Sequence, residues 1–283
     1  MTEARYRPAD LVSFGQALLV EAGVATDRAA IIAHFLVEAD LMGHTTHGLA
    51  LLGPYLDELA AGNMAKTGDP ELVRDTGACV TWDGGALPGV WLTAAAIDLA
   101  LARAPTYGTA TVVIRRSHHI ACLGAFLTRA TDRRCMILLT CSDPAGASVA
   151  PFGGISAVFT PDPLAVGIPT GGDPILIDTS ASITTNGMSN RLHKQGQKFP
   201  HPWLQDAAGT PSDDPAALFT DPPGTLLPAG GLDHGQKGYA MALMVEALTQ
   251  GLGAHGRAEA PKGWGASVFV QVIDPTAFGG LAG

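Results

Sequence analysis

Two groups of histidine residues mark where this sequence could move protons. The first lies in a segment, here called the 43–48 turn, that combines imidazoles, hydroxyls and glycines: Gly43, His44, Thr45, Thr46, His47 and Gly48. The second group is the pair His118 and His119. Imidazole donates and accepts protons near neutral pH, and a neighbouring hydroxyl can fix its tautomer or bind a substrate oxygen. Both groups indicate proton transfer, although the 43–48 turn by itself also fits a polar connection between two helices.

The second histidine group is expected where a strand ends and a helix begins. The β-branched run at 109–114 predicts a buried strand, and helical spacing returns over 119–133. Ligands of α/β proteins bind at such strand ends, where the N–H groups of the next helix can contact a polarised oxygen. One of the two histidines is therefore the candidate proton donor for a carbonyl or imine substrate. The alternative is that one of the two histidines only caps the helix or faces solvent.

A metal site is a second possibility for these histidines. His44 and His47 are three residues apart, His118 or His119 could add a third ligand, and Asp143 is the neatest fourth. Zinc sites built from histidine need a fixed spacing with a nearby carboxylate, and the sequence has no HExxH motif. We therefore predict a site without metal and keep a histidine-cluster metallohydrolase as an alternative.

The composition favours a well-packed protein and argues against nucleic acid as its partner. Only 15% of the 283 residues are charged, whereas 47% are hydrophobic. The net charge of −9 makes nucleic acid an unfavourable partner. Neither a signal peptide nor an apolar run of membrane-spanning length is apparent, so no membrane partner is expected. The four cysteines lack CxxC spacing, which favours reduced thiols in a cytoplasmic protein.

The order of the predicted elements suggests an α/β fold in three parts. Residues 1–72 read as a helical domain, including a helix at 26–42 with Thr26 as its N-cap, and are expected to pack with a helix at 236–252. Residues 73–225 read as a mixed-sheet α/β domain, in which closely spaced strands favour mixed or antiparallel pairing. Residues 226–283 add that helix and a final strand. The predicted strands are 78–82, 109–114, 135–139, 157–160, 164–168, 175–178 and 267–273.

One dinucleotide-binding pattern in the sequence lacks the context that would give it meaning. The match to GxGxxG runs from Gly251 to Gly256. It follows a predicted helix rather than a strand, and no helix is predicted to start after it. We interpret it as a helix end followed by a loop, so it does not predict a Rossmann fold.

Five segments in order carry a family resemblance. They are 43–48 with Tyr55; Ser142-Asp143-Pro144 with Ala150-Pro151-Phe152-Gly153-Gly154; Asp162-Pro163-Leu164-Ala165 with Ile168-Pro169; Leu176-Ile177-Asp178-Thr179-Ser180; and Gln236-Lys237-Gly238-Tyr239-Ala240-Met241-Ala242-Leu243. Together they resemble the malate/L-lactate dehydrogenase-like oxidoreductases over about residues 8–278. That family includes type 2 lactate and malate dehydrogenases, sulfolactate and ureidoglycolate dehydrogenases, and reductases of cyclic imino acids.

The resemblance implies a fold, a reaction and a set of roles. The fold would be non-Rossmann, with a large mixed β-sheet cofactor domain and a helical domain, in a homodimer. The reaction would be hydride transfer between NADPH or NADH and a small 2-oxo, 2-hydroxy or cyclic imine compound. The implied catalytic residues are His119, His47 and Thr46. Ser142 and Tyr55 would contact the substrate. The implied cofactor contacts are Asp178, Thr179, Ser180, Lys237 and Gly238.

Departures from the family pattern bear on the substrate and the cofactor. Leu51 stands where the family usually has an arginine, and Trp264 lies near a second such place, so both residues are expected to face the substrate. An unpaired buried carboxylate is costly, which favours a substrate with no free carboxylate there. Otherwise Arg115, Arg116 or Lys262 would have to hold it. The basic residues Arg191, His193, Lys194 and Lys198 suggest a 2′-phosphate contact and hence NADPH. A cofactor-binding relative without turnover remains an alternative.

Overall fold

The computed structural model describes residues 5–280 of the chain. Helices open the chain, as the sequence predicts: α1 (Pro8–Glu21), α2 (Thr26–Leu41) and α3 (Leu52–Ala61). Thr26 is the first helical residue of α2 rather than its cap, because Ala25 occupies the N-cap position and no side chain caps the helix. Gly43, with φ of +87°, turns the chain out of α2 as expected for a glycine after a helix.

The strands and remaining helices follow in an α/β arrangement. The strands are β1 (Glu71–Asp75), β2 (Cys79–Asp83), β3 (Thr109–His118), β4 (Met136–Ser142), β5 (Pro163–Ile168), β6 (Ile175–Ser180), β7 (Leu204–Gln205), β8 (Pro211–Ser212), β9 (Thr225–Leu226) and β10 (Gly265–Ile273). The further helices are α4 (Gly89–Tyr107), α5 (Thr128–Thr131), α6 (Asn186–Lys194), α7 (Gly231–His234) and α8 (Gln236–Glu246).

A mixed seven-stranded sheet is the centre of the fold, in the order β1-β2-β3-β10-β4-β5-β6. The β2–β3 pair is parallel, and the other neighbours are antiparallel. The C-terminal strand β10 lies between β3 and β4, and Val270 pairs with both Val112 and Leu139. All three side chains are fully buried, so the closing strand completes the hydrophobic core.

Helix α4 covers the sheet at β3 and β10 and also contacts α2. Its buried face is rich in alanine, which allows a helix to approach a sheet closely. Gly89 begins this helix, and a Cβ there would lie 2.0 Å from the carbonyl oxygen of His118. A glycine is therefore required where α4 starts against the end of β3.

Several predicted elements differ from the structure. The helix expected over 119–133 is replaced by a loop, a 3₁₀ turn at Gly124–Phe126 and the short helix α5. Ala121 has φ of +62°, a left-handed conformation that interrupts a helix. The residues from 120 to 127 are all buried, so their apolar character reflects burial on every side rather than one helical face.

Three further differences concern strands and one helix. The predicted strand at 157–160 is reduced to a bridge between Phe159 and Val149. Strand β1 was not predicted, and the proposed boundary between residues 72 and 73 passes through it. Helix α6 falls where a polar, proline-rich loop was expected from residue 191 onward. Its side chains are mostly polar, and it is capped by Thr185, which accepts a hydrogen bond from the Met188 N–H.

Helix α8 continues into a π-helical turn, Ala247–Gly251. The main contacts of α8 and this turn are with β4, and the turn also contacts β3 and β10. The sequence had suggested packing against the N-terminal helices instead. The GxGxxG pattern begins in this π-helical turn with no strand before it, so its interpretation as a helix end is confirmed.

A small sheet and a second apolar cluster complete the described part of the chain. Strands β8, β7 and β9 pair in that order, and Asp206 anchors the predicted hairpin turn by accepting the N–H groups of Ala208 and Thr210. The second cluster includes Leu204, Leu226 and Ala242. The four cysteines are free thiols. Within residues 5–280, no helix combines the length and the apolar character needed to cross a membrane.

Candidate active site

A cavity of about 540 Å³ brings together most of the residues that the sequence singled out. Its walls are the 43–48 turn, the loop after β3, the end of β4, strand β6, the start of α6 and the segment before β10. The predicted site residues on these walls are Thr46, His47, Leu51, His119, Ser142, Asp178, Thr179, Ser180, Arg191 and Trp264. This volume lies in the usual range for small-molecule sites.

The 43–48 turn is held in place by a carboxylate from the preceding helix. Asp40 accepts a hydrogen bond from the Leu49 N–H at 2.8 Å. A Cβ on Gly48 would meet the carboxylate of Asp40, so a larger residue there would displace that carboxylate from its hydrogen bond with Leu49. Asp40 was not identified from the sequence. An acidic residue in α2, four residues before His44, gives only a weak indication that its carboxylate accepts a hydrogen bond at the end of the turn.

The hydroxyl of Thr46 fixes the imidazole of His47. Thr46 Oγ1 and His47 Nδ1 are 2.9 Å apart, which leaves Nε2 of His47 for another partner. Burial lowers the pKa of His47, although the carboxylate of Asp178 opposes that shift. The His47 and His119 rings have centroids 5.9 Å apart. The two predicted acid–base imidazoles therefore lie in the same cavity, as the sequence led us to expect.

His119 follows the last residue of β3, and its ring is hydrogen-bonded to Tyr55 on the side that faces away from the cavity. The Tyr55 hydroxyl oxygen lies 2.8 Å from His119 Nδ1, and the N–H of Ala121 points at the same nitrogen from 3.4 Å. Because a backbone N–H can only donate, Nδ1 accepts in this arrangement and Nε2 carries the proton of the neutral ring. Nε2 is therefore the nitrogen left to act on a substrate.

Trp264 forms the other side of the His119 environment. The indole stacks on the His119 ring with centroids 4.4 Å apart. Burial, together with the neighbouring His47 and His118, holds the pKa of His119 well below its usual value. His119 is thus a neutral imidazole near neutral pH, and protonating it requires a compensating charge.

His118 faces a different environment from its neighbour. It is 1% exposed, and its Nε2 lies 3.3 Å from a carboxylate oxygen of Glu58. Because successive residues of a strand point to opposite sides, His118 packs behind the cavity while His119 lines it. Of the metal ligands considered from the sequence, His44, His47, His119 and Asp143 all line the cavity, but within residues 5–280 their donor atoms do not come together as one set of ligands.

Strand β6 and helix α6 supply further polar residues of the cavity wall. Asp178 accepts a hydrogen bond from the Gly124 N–H at 2.7 Å, and Thr179 and Ser180 follow it along the wall. Arg191 reaches back to the 43–48 turn and donates to Thr45 Oγ1 at 3.0 Å. Arg191 is the only lysine or arginine that lines the cavity within the described residues.

Ser142 lines the cavity, but its hydroxyl is engaged elsewhere. Ser142 Oγ lies 2.8 Å from Thr249 Oγ1 and accepts from Gln250 Nε2 at 3.0 Å. Both partners belong to the π-helical turn, so the Ser142 side chain points toward that turn. Cys141, one residue earlier, lies on the opposite face and contributes a thiol to the cavity wall.

Several predicted site residues lie away from the cavity wall. Tyr55 is 2% exposed and sits behind His119. Lys194 and Lys237 are solvent-exposed, and Gly238 packs against the backbone of Ala229. None of the four lines the cavity. The roles given to them at the cofactor or the substrate stay predictions.

The suggested replacements for the missing arginine are also placed elsewhere. Arg115 and Arg116 both pair with Asp83, at 3.0 Å and 3.4 Å, and Lys262 is exposed. None of the three lines the cavity. Sequence reasoning also missed Cys122 and Cys141 as cavity residues, because a thiol in an apolar segment gives no sign of which wall it faces.

The chain is similar to proteins of one family along most of its length. A profile of the malate/L-lactate dehydrogenase family matches residues 6–283. An L-lactate dehydrogenase from Cupriavidus necator is 30% identical over 283 aligned positions, which cover 97% of this chain and 78% of that protein. A (2R)-3-sulfolactate dehydrogenase (NADP(+)) from Chromohalobacter salexigens is 32% identical over 84% of this chain and 69% of its own length.

A solved structure agrees with the sequence matches. The delta1-piperideine-2-carboxylate reductase from Pseudomonas syringae pvar. tomato superposes with a TM-score of 0.86 at 27% identity. The superposition covers 99% of this chain and 85% of that one. The mixed sheet, the cavity histidines and the family profile lead to one conclusion: the chain belongs to the malate/L-lactate dehydrogenase family, a family of NAD(P)-dependent oxidoreductases.

Proposed function

We propose that the cavity transfers a hydride and a proton between a nicotinamide cofactor and a small 2-oxo, 2-hydroxy or cyclic imine compound. The observation that carries this proposal is the environment of His119. Tyr55 and the Ala121 N–H fix its Nδ1, Trp264 stacks on the ring, and Nε2 is left for the substrate. A fixed, desolvated imidazole is suited to exchange a proton with a substrate oxygen or nitrogen.

The residues of the cavity suit a nicotinamide cofactor. The polar run Asp178–Ser180 can hydrogen-bond ribose hydroxyls and a carboxamide. Gly187 lies against the 43–48 turn, and a Cβ there would be 3.3 Å from Thr46 Cβ, so a larger residue would narrow the cavity. The bound cofactor would supply the hydride, and the protein would supply orientation and charge.

A second cavity suggests where the rest of a dinucleotide lies. It has a volume of about 740 Å³, and Asn186 and Gly187 line both cavities. These two residues form the first turn of α6, where free N–H groups favour an anion. This turn would hold the pyrophosphate, with the nicotinamide beside His119. The adenosine ribose would lie along α6, where Arg191 follows Gly187 by one turn, and the adenine would lie toward the second cavity. This path needs no glycine-rich Rossmann turn, consistent with the non-Rossmann fold predicted from the sequence.

The chain's own residues divide the work of the reaction. In reduction, the protonated imidazolium of His119 would give its Nε2 proton to the substrate oxygen or nitrogen and become a neutral ring protonated at Nδ1, whose N–H the Tyr55 hydroxyl oxygen can accept. In oxidation, Nε2 of that same neutral form would take the proton back. Thr46 orients His47, whose Nε2 can hold the same oxygen or nitrogen. Leu51 and Trp264 exclude water from the substrate side of the cavity, which strengthens the hydrogen bonds made there.

Leu51 favours a substrate without a free carboxylate at that wall. A leucine offers no hydrogen bond to a carboxylate, and leaving a charge buried and unpaired costs several kcal/mol, about 3–5. One cation, Arg191, does reach the cavity from α6. If free acids prove to be substrates, Arg191 is the residue that holds them, and its assignment to the cofactor 2′-phosphate is then wrong.

The assembly and the domains complete the proposal. We propose a homodimer, because Phe14 and Leu41 leave large apolar side chains exposed on α1 and α2. We retain the division into a helical part at 1–72, a cofactor part at 73–225 and a final part at 226–283. Strand β1 moves into the cofactor part, since it pairs with β2. Light scattering that gives the 29.0 kDa monomer at micromolar concentration contradicts the dimer.

A cofactor titration followed by a substrate panel tests the proposed activity. We expect saturable binding of NADPH or NADH and turnover of at least one 2-oxo, 2-hydroxy or cyclic imine compound. Cofactor binding without turnover on the whole panel would instead identify a binding protein. A metallohydrolase would lose its activity on chelation, whereas the oxidoreductase would keep it.

A further inference from the structure

Three possible metal ligands from distant parts of the chain meet on one side of the cavity. His44 lies in the 43–48 turn, Cys122 in the loop after β3, and Asp178 on β6. One donor atom from each residue lies within 4.8 Å of the other two. A histidine nitrogen, a cysteine sulfur and a carboxylate oxygen are all ligands that Zn²⁺ accepts. This set differs from the histidine cluster considered from the sequence.

The carboxylate of this group is already oriented by the protein. Asp178 Oδ2 accepts from the Gly124 N–H at 2.7 Å and lies 3.6 Å from Cys122 Sγ. A Cβ on residue 124 would lie 2.8 Å from the same oxygen, so glycine permits this close approach. Metal-binding carboxylates are usually held by such outer hydrogen bonds, which reduce the cost of ordering the ligands.

The three residues also leave room for the ion to complete its coordination. All of them line the 540 Å³ cavity, so water or a small ligand can occupy a fourth position. Zn²⁺ sites with three protein ligands commonly keep such an open position. Asp178 brings a negative charge to this side of the cavity, whereas Arg191 contacts Thr45 on the α6 side.

We propose that His44, Cys122 and Asp178 bind a thiophilic divalent cation such as Zn²⁺ and that the bound ion reversibly blocks the cavity. The cation replaces the thiol proton: the S–H bond of Cys122 breaks, a sulfur–metal bond forms, and one proton leaves to solvent. No electron is transferred in this step. Binding therefore weakens as the pH falls, because protons compete with the metal for the sulfur.

Competition with the cofactor follows from the shared residue Asp178. The blocking effect rests on the proposed function, in which Asp178 contacts the nicotinamide half of the cofactor. By linkage, an ion that weakens cofactor binding is itself bound more weakly when the cofactor is present. The metal site itself does not depend on that function.

Metal binding is measured on the full chain without cofactor or substrate. Calorimetry with Zn²⁺ should give one site per chain, and Cd²⁺ should give an ultraviolet thiolate-to-metal charge-transfer band. Cys122→Ser should abolish the band and weaken Zn²⁺ binding at least about 10–100-fold, the loss typical of even an outer-shell change. Cys141→Ser is the matched control, because its thiol lines the same cavity without belonging to the group.

The possible outcomes separate the two halves of the proposal. Absence of Zn²⁺ binding, or a Cd²⁺ band that survives Cys122→Ser and disappears in Cys141→Ser, overturns the site. Zn²⁺ binding that leaves NADPH and NADH affinity unchanged overturns the blocking effect alone. If the substrate panel shows no turnover while Zn²⁺ still binds through Cys122, the proposed function fails and the metal site stands.

Discussion

The hydroxyl of Tyr55 lies 2.8 Å from Nδ1 of His119, a residue 64 positions away in the sequence. The same hydroxyl lies 3.4 Å from the His119 carbonyl oxygen. It can donate to Nδ1 when the imidazole is neutral. When the ring is protonated, it can accept from Nδ1–H and turn its own hydrogen toward that carbonyl. Tyr55 can therefore support His119 in both protonation states, although it does not line the cavity.

Replacing Tyr55 with phenylalanine should slow the reaction through His119. The change removes one buried hydrogen bond of about 1 kcal/mol and leaves the volume of the ring in place. We expect kcat to fall about five- to tenfold, with cofactor affinity unchanged. Tyr6→Phe is the control, since Tyr6 is exposed. A Tyr55→Phe enzyme with normal kcat and an unchanged pH profile would show that His119 needs no such support.

Removing the imidazole of His119 should have a larger effect than any change at His118. We expect His119→Ala to lower kcat about 10²–10⁴-fold, the usual contribution of a general acid or base, with little change in cofactor binding. His118→Ala should mainly lower stability, because His118 is buried against Glu58. Steady-state kinetics and denaturant unfolding of both variants distinguish these effects. Near-normal turnover in His119→Ala with loss of turnover in His118→Ala would reverse the assignment.

The buried imidazoles should make the fold sensitive to acid. Burial lowers the pKa values of His119, His47 and His118 below 6.5 in the folded chain. As the pH falls below the unfolded pKa, the unfolded state binds more protons than the folded state, so stability decreases. Urea unfolding at about pH 7 and about pH 5 measures this loss. His119→Gln should reduce the difference between the two pH values; an unchanged difference would show that His119 does not contribute.

Arg191 should decide between the two cofactors if it contacts the 2′-phosphate. Arg191→Ala removes a charge-assisted contact of about 1.5–3 kcal/mol, so NADPH affinity should fall about 10–100-fold while NADH affinity stays unchanged. Lys198→Ala is the control, because Lys198 is exposed and pairs with Asp213. A wild-type chain that binds NADH more tightly than NADPH contradicts the assignment. A rise in substrate KM with either cofactor would show instead that Arg191 holds the substrate.

Leu51 should make the enzyme prefer uncharged substrates. We expect amides or esters of 2-oxo and cyclic 2-imino acids to react more efficiently than pyruvate, 2-oxosuccinate or the free imino acids. Leu51→Arg should reverse the preference, because an arginine can form two parallel hydrogen bonds to a carboxylate. Leu51→Met, which keeps the wall apolar, should not. If free acids are good substrates of the wild type and Leu51→Arg does not improve them, the inference from the missing arginine is wrong.

Local sequence determined much of this protein. Amphipathic spacing located α1, α2 and α8, and β-branched runs located β3 and β10, because side-chain periodicity reports directly on burial. The five ordered segments identified the family, and they include His44, His47 and Asp178, which the cavity brings together with Leu51 and His119. These features depend on residue type and spacing, so they are present in the sequence before any fold is considered.

The tertiary structure determined the contacts between distant residues, which the spacing of residue types could not predict. The contact of Tyr55 with His119, the clamp of Asp40 on the 43–48 turn and the meeting of His44, Cys122 and Asp178 all arise from chain folding. Trp264 comes just before β10, and His119 comes just after β3. Because β10 lies between β3 and β4 and pairs antiparallel with β3, both residues lie at the same end of the sheet. A helix was predicted at 119–133 because residues that are buried on every side give the same apolar pattern as the buried face of a helix. The left-handed backbone of Ala121 interrupts that helix. Such contacts join distant segments, and their geometry is set by packing rather than by any local pattern.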